Sequence, residues 1–486
     1  MSVSPNALWN GDDVLRATRG HAPSGTGTPS WAASGVSIDT RSLAPGDLFV
    51  ALRGPKFDGH EFVADALGKG AAAALVSRIP FGVSTDAPLV VVEDTAQALA
   101  DLAHAARRRC RACVVIGVTG SVGKTSVKEA LKLVLSAQGK TLASEGSLNN
   151  HWGLPLSLAR VPEDARFAVL EMGMNHAGEI TPLTQLARPD VALVTTVEAV
   201  HTAHFASVEA IADAKAEIFS GLQPGGVAVL NRDNPHHERL AAAARRAGAG
   251  RFVTFGAHPD ADVRLIVAEA DGDGSSRVRA GWAGTALDFR LCVPGSHWIM
   301  NSLCVLATVD AAGANVWAAA ALLEHFAPPK GRGGRHAVRL PDGVLQLIDD
   351  SYNASPVSVE ASLDVLARGA LGPGGRRIAV LGDMLELGDE SPELHAALAK
   401  PLQQHGIDLV FTAGPMMAHL FAALPAAMRG GHAANSLTLA PLVAAAVRPS
   451  DIVTVKGSAG SRMDMVVRRL LALENEACAA PAAGGR

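Results

Sequence analysis

The chain has 486 residues, a formal net charge of −4 and 48% hydrophobic residues. This length exceeds what one hydrophobic core normally serves and predicts about three domains. A charge so close to zero provides no overall positive field for nucleic acid or for an anionic membrane, so small molecules are the expected partners.

The first 109 residues predict an α/β domain. Apolar strands are expected over residues 47–52, 73–76 and 89–92, and helices over 59–69 and 95–109. No signal peptide and no run of about 20 apolar residues is visible, so we expect a cytoplasmic protein that does not insert into a membrane.

Residues 110–327 predict a second domain with a parallel, doubly wound sheet. After a glycine-rich turn at residue 120, further strands are expected over 167–170, 191–197 and 227–230, with helices between them. In such sheets ligands bind at the carboxyl ends of the strands.

Residues 328–486 predict a third, Rossmann-like α/β domain. Its boundary is the glycine-rich segment 331–335, which follows two prolines. Four strands, each followed by a helix-like stretch, are expected over 345–348, 377–381, 409–412 and 452–455.

The turn after the strand that begins at Val114 has the composition of a phosphate cradle. Backbone N–H groups of the turn and of the following helix point at an anion, and the helix dipole favours negative charge. Lys124 can reach terminal phosphates and Thr125 can hold Mg²⁺, so we expect a nucleoside triphosphate as ligand. Val118 stands where the strict pattern has glycine. The cradle residues are Gly120, Ser121, Val122, Gly123, Lys124, Thr125 and Ser126.

Three candidates for metal binding lie further along the chain: Glu171, His201 and Lys215. Glu171 ends a predicted strand on the edge that faces the cradle, so its carboxylate could hold Mg²⁺ or order a water. His201 follows the next strand and could ligate a second cation, although a lone histidine is more often structural. Lys215 would be repelled by two cations unless it is neutral, carbamylated or elsewhere.

Polar clusters in the third domain also follow predicted strands. One runs from Asp350 to Asn353 and the other from Asp383 to Gly388. Both would lie where doubly wound sheets bind ligands, but the same residue types also favour ordinary turns.

Taken in this order, the motifs resemble the Mur ligase family, the ATP-dependent amide-bond ligases of bacterial cell-wall precursor synthesis. The resemblance runs from about residue 36 to 470. Besides the cradle and Glu171, it is carried by Asp39-Thr40-Arg41, Asp58-Gly59-His60, Asn149-Asn150, Ala214-Lys215-Ala216-Glu217, Gly295-x-His297 with Asn301, and Asp350-Ser351-Tyr352-Asn353.

The resemblance implies an activity and its ligands. The motifs are most similar to those of the member that joins D-alanyl-D-alanine to UDP-N-acetylmuramoyl-tripeptide through an acyl phosphate, in peptidoglycan synthesis. ATP and two Mg²⁺ sites are implied, the first held by Thr125 and Glu171, the second by His201 and a CO₂-derived carbamate on Lys215. We expect a monomer.

The resemblance also implies substrate contacts. Asn301 would contact adenine, Arg335 the phosphates, and Asp350 and Asn353 the nucleotide from the third domain. Arg335 is preferred to Arg332 because its distance to Asp350 fits better. Residues near the UDP-precursor would be Thr40, Arg41, Asp58, His60, Asn149 and Asn150.

Several alternatives stay open at this point. A ligase that adds the third residue, or a folylpolyglutamate synthase, would use the same centre. A nucleotide switch or motor would hydrolyse NTP without an acceptor, and a non-catalytic binding protein could retain the fold. Thr196, Ala203, Trp298 and Ala459 depart from the usual family pattern.

Overall fold

The computed structural model describes residues 7–23, 30–200, 202–271 and 274–479. Three main sheets organise the chain into an N-terminal, a central and a C-terminal α/β unit. These sheets lie within the predicted spans 1–109, 110–327 and 328–486, whose boundaries stay predictions. No helix among the described residues is both long and apolar enough to cross a membrane.

The first sheet contains four parallel strands that are adjacent in chain order. The predicted helix over 59–69 begins as a 3₁₀ turn, because the Asp58 side chain accepts the His60 N–H at its start. The strands are Gly35–Ser37, Asp47–Val50, Ala73–Val76 and Leu89–Val91, and the α-helices are Gly11–Thr18, Val63–Gly68 and Thr95–Arg109. Two short ladders pair Trp9–Asn10 with Ala32–Ala33 and Arg53–Gly54 with Phe57–Asp58.

The central sheet contains nine strands and places the phosphate-loop strand Val114–Thr119 between two parallel neighbours. In spatial order the strands are Thr141–Ala143, Phe167–Glu171, Val114–Thr119, Val191–Val194, Val227–Asn231, Arg251–Gly256, Val263–Ala270, Ser276–Trp282 and Thr285–Leu291. The last two are antiparallel and extend the predicted parallel sheet. Their burial alternates residue by residue, as expected for strands with one solvated face.

The helices of the central unit cover both faces of its sheet. Two apolar clusters lie on opposite faces, because neighbouring residues of the phosphate-loop strand, Val115 and Ile116, contribute to different clusters. The α-helices are Lys124–Ser136, Gly153–Ala159, Ile180–Ala187, Val208–Ala216, His237–Arg246, Ser296–Ala311 and Val316–Leu322.

The third sheet contains six strands, of which the first is antiparallel and the others are parallel. In spatial order they are Gly334–Leu340, Gly343–Asp350, Ile452–Lys456, Arg377–Gly382, Leu409–Ala413 and Arg429–Ala433. The α-helices are Pro356–Ala367, Ser391–Ala397, Ala399–Gln404, Met417–Ala423, Ser436–Ala446 and Asp464–Ala479.

Asp451 has a fully buried carboxylate that stabilises the third unit. It accepts from the Arg376 guanidinium at 2.7 Å and from the Arg448 amide at 2.8 Å. We expect Asp451→Ala to lower the local unfolding free energy by about 1–3 kcal/mol, because it removes the acceptor of the Arg376 and Arg448 amides. Hydrogen exchange of the strand Ile452–Lys456 measures this loss.

The matched control is Asp464→Ala, which removes an exposed ion pair with Arg468. Its expected effect is below about 1 kcal/mol, since solvent screens such pairs. If hydrogen-exchange protection fell equally in the two variants, Asp451 would not stabilise the third unit more than an exposed ion pair does.

Candidate functional site

The phosphate loop, residues 120–123, is a backbone cradle that only glycine allows at two positions. Gly120 and Gly123 have φ values of 146° and 85°. A Cβ on Gly120 would overlap Thr195 Oγ1, and one on Gly123 would lie 2.9 Å from Asn301 Oδ1. The helix Lys124–Ser136 begins directly after the loop without a side-chain cap, so its first amides point into the cradle.

Hydrogen bonds to residues 195 and 198 fix the shape of the loop. Thr195 Oγ1 donates to the Val122 carbonyl at 2.6 Å. Ser121 Oγ donates to the Glu198 carbonyl at 3.1 Å and accepts the Glu198 N–H at 2.9 Å. Glu198 and Thr195 therefore brace the loop from the neighbouring strand end, a role that the sequence did not reveal.

The Glu171 carboxylate lies at the centre of a hydrogen-bonded cluster. Thr125 Oγ1 donates to its Oε2 at 2.8 Å, and Asn149 Nδ2 donates to its Oε1 at 2.8 Å. Glu171 is only 1% exposed. One hydroxyl and one carboxylate side by side at the cradle form an oxygen donor set of the kind that Mg²⁺ prefers, so the residues fit this ion.

Arg332, rather than Arg335, contacts this cluster. Its Nη2 donates to Thr125 Oγ1 at 3.0 Å, and its guanidinium stacks 4.3 Å from the centre of the Tyr352 ring. Arg335 is exposed and lies beside Gly274 on the wall of a different cavity. The preference for Arg335 rested on sequence distance alone, and its phosphate contact stays a prediction. The hydrogen bond to Thr125 makes Arg332 a second candidate for that contact.

Two lysines near the cradle have lowered pKa values. Lys124 Nζ donates to the Gly120 carbonyl at 2.7 Å, and burial lowers its pKa, with Glu171 opposing this shift. Lys215 is 2% exposed. Burial, aided by the charge of Lys124, lowers the pKa of Lys215 well below its usual value. His201 lies outside the described residues.

The segment that carries Lys215 is tied to the loop that follows Glu171. Glu217 Oε1 accepts the Gly178 amide at 2.6 Å, and its Oε2 accepts the amides of Ile180 and Thr181 at 3.1 Å. Glu217 thus caps the helix Ile180–Ala187 from outside, and this gives a structural reason for its place in the motif.

The third-domain candidates form a separate polar cluster. Asp350 Oδ2 accepts from Lys456 Nζ at 2.7 Å, and the Asn353 carbonyl accepts from the same ammonium at 3.1 Å. Burial lowers the pKa of the nearby His297 to about 4, against the opposing charge of Asp350. Asn301 lies one turn after His297 on the helix Ser296–Ala311 and packs on the phosphate loop.

The N-terminal candidates lie in tight local structures. His60 Nε2 accepts the Ser77 amide at 2.9 Å, so the proton sits on Nδ1, which faces Asp58 Oδ1 at 2.6 Å. The His60 amide, with Arg78 assisting, holds the pKa of Asp58 well below its usual range. Arg41 is exposed and binds Asp39.

Thr40 and Asn150 are the remaining N-terminal and loop candidates. The Thr40 carbonyl accepts from Lys69 Nζ at 3.1 Å. Asn150 is exposed, and its Oδ1 accepts the Gly153 amide at 2.9 Å where a helix begins. Their contacts to a UDP-precursor stay predictions.

Family models match three stretches of the chain. Residues 32–107 match the catalytic domain of the Mur ligase family, residues 118–309 match the Mur ligase middle domain, and residues 334–459 match the Mur ligase glutamate ligase domain. The three matches fall on the three sheets in the same order.

Two relatives with the same description are similar to this chain over about nine-tenths of its length. UDP-N-acetylmuramoyl-tripeptide--D-alanyl-D-alanine ligase of Escherichia coli (strain K12) is 37% identical over 91% of this chain and 94% of its own length. The Bacillus subtilis (strain 168) protein of the same description is 34% identical, covering 90% and 93%.

Two solved structures are similar over most of the chain. A MurF structure from Acinetobacter baumannii has a TM-score of 0.81 and 28% identity, covering 95% of this chain and 98% of its own. MurF ligase from Thermotoga maritima in complex with ADP has a TM-score of 0.72 and 26% identity, covering 91% and 98%.

Arg332 and Arg335 make a matched pair for testing the phosphate contact. We expect Arg332→Met to weaken ADP binding about 10-fold or more, because a hydrogen bond to a charged group contributes about 1.5–3 kcal/mol. Arg335→Met should stay within about twofold. Isothermal titration calorimetry with ADP measures both affinities, and the reverse ranking would support Arg335 as the phosphate contact.

His297 makes stability depend on pH. Its folded pKa of about 4 lies below the unfolded value of 6.5, so the unfolded chain binds the proton first. Its contribution is fully present above about pH 6.5 and falls by about 1.4 kcal/mol per pH unit on acidification towards pH 4. Asp350, Asp364 and Lys456 are the charges that act on it.

The test compares urea unfolding of the wild type and His297→Gln between pH 7.5 and 5. The difference in unfolding free energy between the two proteins should shrink as the pH falls. A difference that stays constant across this range would show that His297 is not held neutral.

Proposed function

The chain belongs to the Mur ligase family, and we propose that it joins D-alanyl-D-alanine to UDP-N-acetylmuramoyl-tripeptide at the expense of ATP. The observation that carries the proposal is the Thr125–Glu171–Asn149 cluster beside a glycine-only phosphate loop, in a chain similar over nine-tenths of its length to ligases of that description. The cytoplasm, where ATP is available, is the proposed location.

The first half-reaction activates a carboxylate. The terminal carboxylate of the tripeptide attacks the γ-phosphorus of ATP, which forms an acyl phosphate and releases ADP. The loop amides, Lys124 and Arg332 would surround the phosphates and offset the charge that develops during transfer. Bound Mg²⁺, held by Thr125 and Glu171, would supply further positive charge at the phosphate oxygens.

The second half-reaction forms the amide. The free amine of D-alanyl-D-alanine attacks the acyl carbon, loses a proton, and the tetrahedral adduct expels inorganic phosphate. No serine or cysteine nucleophile is needed, so the chain contributes positioning and electrostatics. Asn301, Asp350 and Asn353 are proposed nucleotide contacts, and Thr40, Arg41, Asp58, His60 and Asn150 are proposed precursor contacts.

Lys215 is proposed to carry a carbamate and to hold a second Mg²⁺ together with His201. Burial lowers the pKa of the Lys215 amine and so favours its neutral form, which is the nucleophile that attacks CO₂. The product is an anionic oxygen ligand, and this removes the repulsion between a lysine cation and bound metal.

The proposed function is tested by phosphate release from ATP and Mg²⁺, with the product weighed by mass spectrometry. We expect release that needs both the tripeptide precursor and D-alanyl-D-alanine, together with the mass of the pentapeptide product. Release without an acceptor would indicate a nucleotide switch or motor, and product formed only with a single amino acid would indicate another ligase of the family.

Lys124→Ala and Lys215→Ala should each abolish product, because they remove a phosphate contact and the carbamate carrier. Lys132→Ala is the matched control, since Lys132 is exposed on the same helix as Lys124. Circular dichroism verifies folding of all three variants. Full activity of either of the first two variants would contradict the role assigned to that lysine.

A further inference from the structure

Lys128 is a fully buried lysine that the reaction itself does not use. It lies on the helix Lys124–Ser136, one turn after Thr125, and its exposed fraction is 0%. Burying an ammonium is costly unless all of its donors find partners. Burying methionine at this position would cost less free energy than burying lysine. The lysine therefore indicates that its contacts hold a particular local geometry.

The Lys128 ammonium has three close oxygen partners. Nζ donates to the Ser144 carbonyl at 2.5 Å and to the Gly146 carbonyl at 3.0 Å. It also lies 2.6 Å from Glu129 Oε1. Both hydrogen bonds thus hold the start of the loop formed by residues 144–150.

This loop reaches Glu171 at two points. Ser144 Oγ accepts the Glu171 amide at 3.2 Å, and Asn149 Nδ2 donates to Glu171 Oε1 at 2.8 Å. The Asn149 carbonyl also accepts the Gly173 amide at 2.9 Å. One helix therefore controls both carboxylate oxygens of Glu171: Thr125 contacts Oε2 directly, and Lys128 holds the loop that contacts Oε1.

We propose that Lys128 is a positioning residue that orients the Glu171 carboxylate for Mg²⁺ by clamping the loop 144–150. Its ammonium is fully buried, so it would act through Asn149 and not through contact with a ligand. This inference rests on the proposed function only in assigning a Mg²⁺-bound nucleotide to the site. Loss of the clamp should weaken the contribution of the metal to nucleotide binding and leave the backbone cradle intact.

The test measures ADP binding by calorimetry in saturating Mg²⁺ and again in EDTA. In Lys128→Met we expect the Mg²⁺-dependent gain in ADP affinity to fall about fivefold or more, as for one misplaced hydrogen bond of about 1 kcal/mol. Affinity in EDTA should stay within about twofold. Lys132→Met, exposed on the same helix, should change neither value.

A double-mutant cycle identifies the route of the effect. Asn149→Ala should reproduce the loss, and the double variant should lose no more than either single variant, because both changes act on the same carboxylate. Equal weakening with and without Mg²⁺, or additive losses, would overturn the proposal in favour of general loosening of the helix.

A milder variant keeps the proposal testable if Lys128→Met does not give a cooperative thermal melt. Lys128→Gln retains a neutral N–H donor group and should show a smaller loss with the same dependence on Mg²⁺. No loss in a folded Lys128→Gln would overturn the proposal. Because the readout is binding, a wild type that binds Mg²⁺ and ADP but forms no pentapeptide would refute the proposed function alone. If Mg²⁺ did not raise the ADP affinity of the wild type, this inference would be refuted.

Discussion

The candidate site depends on how the buried Glu171 carboxylate is held. A carboxylate this deeply buried is stable only when its oxygens are hydrogen-bonded, and Thr125 and Asn149 each satisfy one of them. These two partners come from segments that lie on either side of the strand Phe167–Glu171. The orientation of one side chain is therefore determined by three separate stretches of the central unit.

The phosphate loop imposes a second constraint on the same edge of the sheet. Its two glycines with positive φ allow Thr195 and Asn301 to pack directly against backbone, which leaves no space for a Cβ. The neighbouring strand end and the helix Ser296–Ala311 are thereby fixed relative to the cradle. Rigid support of this kind orients backbone amides in advance, which is how electrostatic catalysis avoids reorganisation.

Contacts between the central and third units converge on this edge. Arg332 reaches Thr125 from the segment that leads into the third sheet, and the Ala203 amide donates to the Glu386 carbonyl at 3.3 Å. Glu386 has a φ of 64°, in the left-handed region. Ala203, which departs from the usual family pattern, thus lies at a contact between the two units, next to the segment that contains His201.

The sequence by itself determined the three α/β units, most strand positions and the phosphate loop, because strand periodicity and glycine-rich turns are local signals. It also placed Glu171 at a strand end beside the cradle. Tertiary structure decided that Arg332 reaches Thr125 while Arg335 does not, since Arg332 lies in the turn before the strand Gly334–Leu340 and Arg335 lies within that strand. It also decided that Lys128 is buried under the loop 144–150, because burial of a helical lysine depends on which distant carbonyls lie above it.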